Sequence, residues 1–406
     1  MSDSAPTRAP FTAAVYRNIG LLAVAQAISG SSQSIVIAVA ALTAIVLAPD
    51  PALATLPMTA TILGLAIFAI PATRLIYRLG RTRGFVLGAS IAVIAGLGAG
   101  WAVAAHSFWL FCAALVFVGA SASFGQQYRF AIADSVPSNL KARAISLVLL
   151  GGVAAGFIGP GLSIFAKDFV AGAEYAGSFL GIAGLSTIAF AVLSFTRLAP
   201  IRRPGKGEPQ GRSTAQLIRS PSVFVPVITG MLSYSLMTLV MVAAPLAMVR
   251  MHGHSPADAA GAIQWHIVAM FLPSLFTGSV VARIGAPLTV AIGLLLFVGC
   301  ALIHLNGTSV LHFDLGLVLL GLGWNFGFVG STAMLATAYR PEEAERAQSL
   351  NEPVVFGAMA LASIGSGVLL QTIGWQSVNV MAIPIAALGL VLLAWTRLQG
   401  RPAPAV

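Results

Sequence analysis

Apolar runs long enough to cross a bilayer follow one another from about residue 19 to residue 396, and the short segments between them hold most of the charge. About 20 consecutive apolar residues span the hydrocarbon core, and with no water there to satisfy the backbone, runs of this length have to be helices. Twelve spans are expected: 19–47, 54–77, 84–105, 108–132, 144–166 and 174–196, then 223–249, 259–282, 286–306, 311–338, 347–371 and 376–396. A chain that is 58% hydrophobic and 8% charged has no soluble globular alternative. The formal charge of +10 therefore reports orientation in the lipid bilayer and not a nucleic-acid partner.

If the N-terminus is cytoplasmic, all of the 22 Lys and Arg residues except Lys167 and Arg250 fall on the inner side, Arg129 among them. The positive-inside rule then places both termini in the cytoplasm. Residues Met1 to Pro10 lack the basic, apolar and cleavage regions of a removable signal peptide, so the first run is read as a retained span. Cys112 and Cys300 lie inside apolar runs and imply no disulfide framework.

The chain repeats itself. Arg78-Leu79-Gly80 recurs as Arg283-Ile284-Gly285, and Arg143-Ala144-Ile145-Ser146-Leu147 as Arg346-Ala347-Gln348-Ser349-Leu350. Between these, Phe111, Gly119, Phe124 and Gly125 answer to Phe313, Gly321, Phe326 and Gly327. Matches at a near-constant offset across three regions predict two homologous six-helix halves. The organisation is a cytoplasmic tail over 1–18, a first half over 19–196, a basic cytoplasmic linker over 197–222, a second half over 223–396 and a cytoplasmic tail over 397–406.

An all-α integral membrane protein with twelve transmembrane helices in two pseudo-symmetric halves resembles the major facilitator superfamily. Its loop signature, GxxxDRxGRR/K, is present in altered form from Thr73 through Arg78, Leu79 and Gly80 to Arg81, and again from Gly278 through Arg283 and Ile284 to Gly285. Tyr77 and Ala282 stand where the signature has its acidic residue. Arg78, Gly80, Arg81, Arg283 and Gly285 are therefore expected to serve conformation and topology.

Six of the eleven methionines lie between Met231 and Met270. Met237 and Met241, and likewise His266 and Met270, are spaced by four and so share one helix face. Counted from the outer side, Met241 and His266 fall at one depth, and Met237 and Met270 at another. Thioether and imidazole together suit copper, most naturally Cu(I). Pro245 and Pro273 free backbone carbonyls beside these residues and supply hinges. Met248, Met251, His252 and His254, in the connection that follows Pro245, would form a copper capture site. A histidine within a span is costly and usually functional.

A superfamily member with MxxxM in its seventh span and HxxxM in its eighth resembles the CcoA-type copper importers. That resemblance implies uptake of copper ion as cargo across a bacterial cytoplasmic (inner) membrane, for assembly of cbb-type heme–copper cytochrome oxidase. It also implies a periplasmic copper donor and a cytoplasmic copper chaperone as partners. No cofactor is expected. The chain has no phosphate-binding loop, HExxH or acid–base pair, which points away from an enzyme. Glu352 is the expected coupling residue if protons are used, and an Arg partner for it is an equal expectation. The first alternative is proton-coupled efflux or uptake of a small organic compound, supported by the Gly-Pro motif from Ala155 to Gly161; the second is a membrane assembly factor that transports nothing. Ser29 to Ser34, Gln126-Gln127 and Trp324-Asn325 are expected to line the cavity.

Overall fold

The computed structural model describes residues 11–50, 53, 56–201 and 211–398, so Arg8, Arg202, Arg203, Lys206 and Arg401 lie outside the described residues. Regular structure in the described part is helical, and eleven helices plus one broken pair are long and apolar enough to cross a membrane. The first half comprises α1 (Ala13–Leu47), α2 (Leu56–Leu79), α3 (Arg81–Ala104), α4 (Phe108–Gly125) continued by α5 (Tyr128–Ala133), α6 (Lys141–Leu149) continued by α7 (Gly151–Ala166), and α8 (Ala176–Ser194). A short α9 (Thr214–Arg219) precedes α10 (Pro221–Leu246), α11 (Pro256–Phe271) with α12 (Ser274–Ile284), α13 (Ala286–Asn306), α14 (Val310–Ala338), α15 (Ala344–Thr372) and α16 (Trp375–Leu398). The expected twelve spans are thus present, with the eighth in two pieces. α1 starts at Ala13, ahead of residue 19, because Thr12 caps it by accepting a hydrogen bond from the Val15 amide.

The arginine-rich joints between spans gather at one end of the bundle, the basic end. There α2 passes into α3 through Gly80, and α12 into α13 through Gly285, with no further loop. The two glycines adopt φ 89°, ψ 154° and φ 86°, ψ 152°, a conformation closed to residues with a Cβ.

Pro273 breaks the eighth span, as its missing N–H requires, and α11 and α12 meet at a 44° bend. Asn325 of α14 rescues the break. Its Nδ2 donates to the Met270 carbonyl at 2.7 Å and to Ser274 Oγ at 2.8 Å, while its Oδ1 accepts from Thr277 Oγ1. Pro273, four residues after Ala269, cannot donate to that residue's carbonyl, and Asn325 serves the carbonyl of the next residue, Met270. Past Pro245, α10 ends in a π-helical turn over Ala247–Met251.

The second half has one continuous apolar core, built around Phe297, Phe313, Trp324, Phe328 and Phe356. The first half has three, one around Phe85, Phe124 and Tyr128, one around Phe111, Leu115 and Phe179, and a small one around Ala44, Ala60, Phe108 and Cys112. Two further clusters join the halves: Tyr77 and Phe130 pack with Leu217, Val223, Leu335 and Tyr339, and Ala133, Ile145 and Leu149 pack with Val281, Val329 and Ala333. Before α9, Arg212 grips Glu343 through its amide, Nε and Nη2 at 2.7 to 2.9 Å and donates to the Ala338 carbonyl, fastening the connection between the halves to the start of α15.

Candidate substrate site between the halves

Across the interface between the halves, Arg129 of α5 reaches to Glu352 of α15 at 2.7 Å, and both side chains are buried, at 1% and 2% exposure. Arg129 Nη1 donates to Gln126 Oε1 at 3.0 Å, and Asn351 Nδ2 donates to Glu352 Oε1 at 3.0 Å. Positive-inside counting had assigned Arg129 to the inner surface, and the structure corrects that. The turn at Gln126–Gln127 between α4 and α5 carries Arg129 inward, where a carboxylate from the other half neutralises it. Removing either partner of such a pair would leave a buried charge, at a cost of about 3–5 kcal/mol.

Aromatic rings stand against this pair. The Arg129 guanidinium lies 4.2 Å from the centre of the Phe328 ring and 4.8 Å from that of Phe130, close enough for cation–π attraction. Phe328 stacks on Trp324 at 4.9 Å with 22° between planes. Tyr234 of α10 meets Trp324, Phe328 and Phe356 edge-on at 5.6, 5.1 and 5.4 Å, and Phe271 meets Trp324 at 5.4 Å. Four helices of the second half thus converge on a ring box. Gly152 and Gly156 of α7 bring the first half against it, since a Cβ on either would collide with Phe271 or Ile267 of α11. Two buried donors in this cluster have no hydrogen-bond partner, Trp324 Nε1 and Arg129 Nε. Unmet donors this deep are costly and mark places where a ligand with acceptor atoms gains most.

The residues expected to bind copper are distributed differently. His266 is fully buried, and its Nδ1 donates to the Leu317 carbonyl of α14 at 2.9 Å, which leaves Nε2 buried and unpartnered. His266 and Met270 straddle Gly321, whose absent Cβ lets α14 press on their backbone. They lie in the seam between α11 and α14, where Thr61 and Leu65 stand against Gly119 in the other half. Met237 and Met270 are buried in the core of the second half, with Met241 packed beside them. Of the four outer residues, His252 and His254 both pack on the Phe313 ring, at 6.0 and 5.8 Å, and His254 Nε2 lies 2.6 Å from the Thr308 carbonyl, while Met248 is buried and Met251 is exposed. Burial and the neighbouring His254 push the His252 imidazole below its ordinary pKa. Among the described residues there is no group of three or more His, Cys, Asp or Glu arranged to hold a metal.

The expected conformational residues lie at the basic end. Arg78 and Arg283 are exposed, whereas Arg81 is buried and paired with Asp134. Asp134 also accepts from Tyr339 Oη at 3.1 Å and Gln348 Nε2 at 3.4 Å; Gln348 donates to Tyr339 at 2.9 Å and accepts from Tyr77 Oη at 3.1 Å. This polar knot links α2, α3 and the end of α5 to α14 and α15 and closes the basic end. A cleft of about 630 Å³ opens outside it, lined by Arg74, Glu342, Glu345 and Arg346, with charges of both signs. Tyr77, standing where the loop signature has its acid, bonds across the halves. Local residue order marks Glu352, Gln126 and Trp324 one by one but carries no signal that joins Arg129 to Glu352 or gathers the rings.

A family profile described as Major Facilitator Superfamily matches residues 22–352 and, in a second overlapping match, 227–406. The riboflavin transporter RfnT of Brucella anthropi is 44% identical over 381 residues, covering 94% of this chain and 96% of that protein. The uncharacterized MFS-type transporter YdeG of Bacillus subtilis is 28% identical over 399 residues, covering 94% and 92%. The crystal structure of FucP in the outward conformation aligns with a TM-score of 0.73 over 96% of this chain and all of that one, at 14% identity, a likeness of fold.

Proposed function

The chain belongs to the major facilitator superfamily and is a secondary transporter, and from that premise we propose that its cargo is a small planar organic compound of the flavin class, riboflavin first. The observation that carries this reading is the 44% identity to a riboflavin transporter across nearly the whole of both chains. In this chain the ring box is what would receive such a molecule. Flavin is a flat tricyclic ring suited to stacking against Trp324, Phe328 and Tyr234. Its ring nitrogens and carbonyls are acceptors for the unmet donors of Trp324 and Arg129. The Arg129–Glu352 bridge joins the halves, so alternating access has to loosen it.

With the basic end in the cytoplasm, as the positive-inside rule directs, both termini are cytoplasmic and the membrane is the bacterial inner one. Substrate would enter from the opposite end, the basic end being closed. The organic-compound alternative of the sequence thus takes precedence over copper and over the CcoA branch. The copper reading retains one supporting observation, the buried and unpartnered Nε2 of His266.

Uptake of labelled riboflavin by riboflavin-requiring cells that express the full chain tests the proposal. Accumulation above empty-vector cells, lost in Trp324→Ala, is expected. Wild-type protein present in the membrane without uptake overturns it. Copper accumulation that depends on His266 would then favour the second reading.

A further inference from the structure

We propose that Glu352 makes the central site select uncharged ligands, by cancelling the Arg129 cation that the ring box would otherwise present to its cargo; this rests on the flavin reading. The buried charged side chains among the described residues are Arg81, Arg129, Glu343 and Glu352. Arg81 and Glu343 are held at the basic end by Asp134 and Arg212. Arg129 and Glu352 are left beside the ring box, 2.7 Å apart, with Arg129 against Phe328. Arg129 lies over Phe328, so a molecule held against the ring box lies beside the guanidinium. Glu352 Oε1 is 2.7 Å from that guanidinium, so the two opposite charges are presented together. An anion brought to this place gains attraction from Arg129, loses nearly as much to repulsion from Glu352, and gives up its hydration without return. A neutral ring system gives up far less, and the unmet donors Arg129 Nε and Trp324 Nε1 remain for its acceptors.

The consequence for flavins is a filter against phosphate. Riboflavin is uncharged at neutral pH, and its 5′-phosphate carries close to two negative charges. Riboflavin 5′-acetate has comparable added bulk and no charge, so it separates charge from size.

The experiment is competition against labelled riboflavin uptake in right-side-out vesicles containing the full chain. For wild type, the acetate should compete within about threefold of riboflavin and the phosphate about tenfold or more weakly. A phosphate that competes as well as riboflavin overturns the inference, and so does an acetate as weak as the phosphate, which would make the filter one of size. In Glu352→Gln the phosphate should improve about tenfold or more relative to riboflavin, and in the double variant Arg129→Gln/Glu352→Gln it should fall back to the wild-type order. An inserted Glu352→Gln protein with an unchanged ratio overturns the inference. Should that variant fail to insert, the two probes on wild type still decide. Vesicles that take up no riboflavin at all overturn the flavin reading itself, a result distinct from uptake without charge selection.

Discussion

Gly80 and Gly285, 205 positions apart, hold the same backbone conformation within 3° in φ and 2° in ψ. Each is the sole residue between two spans, and each lies where a side chain cannot follow. The sequence repeat is thereby a repeat of structure down to single dihedral angles.

Replacing either glycine by alanine should lower stability by about 1–3 kcal/mol, read as thermal unfolding of the protein in detergent. Gly20 has open space around it and an ordinary helical backbone, so Gly20→Ala is the control and should be neutral or slightly stabilising. Equal stability of Gly80→Ala and Gly20→Ala would remove the conformational account.

Trp324→Phe keeps a stacking ring and deletes the unmet indole donor. It should raise the KM for riboflavin about fivefold to tenfold while leaving thermal stability unchanged or higher, because an unsatisfied buried group has been removed. An unchanged KM would show that Nε1 meets no part of the cargo.

Asn325→Ala strands the Met270 carbonyl and takes the donor from Ser274 Oγ at the break between α11 and α12, while Thr277 Oγ1 keeps the Pro273 carbonyl. Stability should fall by about 1–3 kcal/mol. Because the rings are untouched, maximal uptake rate should drop more than apparent affinity; a pure KM effect would place Asn325 at the substrate instead.

Asp134→Asn weakens the knot that shuts the basic end. A cysteine placed by Ala333→Cys, at a buried seam between the halves, should then react with maleimide about tenfold faster than in the otherwise unaltered chain. The native Cys112 and Cys300 are buried and provide a low background. No change in labelling would mean that the apolar packing alone keeps this end closed.

Much of this fold was legible because lipid imposes length and apolarity on every span, and because most of the charge lies at the ends of the spans. The repeat, the hinge at Pro273 and the burial of both cysteines could be read from local residue order. The Arg129–Glu352 bridge could not, since its partners are 223 positions apart and an arginine beside a turn reads as a surface charge. The ring box has no motif either; Tyr234, Phe271, Trp324, Phe328 and Phe356 become neighbours only when four helices are laid together. Methionine and histidine at matching spacings drew attention to copper because thioether also fills apolar cores, and spacing does not separate the two uses. In the structure, the buried Met237 and Met270 belong to such a core.

The grip of Arg212 on Glu343 has a mechanical meaning. The polypeptide that tethers the lobes is moored to α15, the same rod that bears Glu352 and Phe356 further along its length. Any rocking of one lobe that draws on Arg212 is therefore passed to the helix that carries Glu352 and Phe356, the residues of the proposed site.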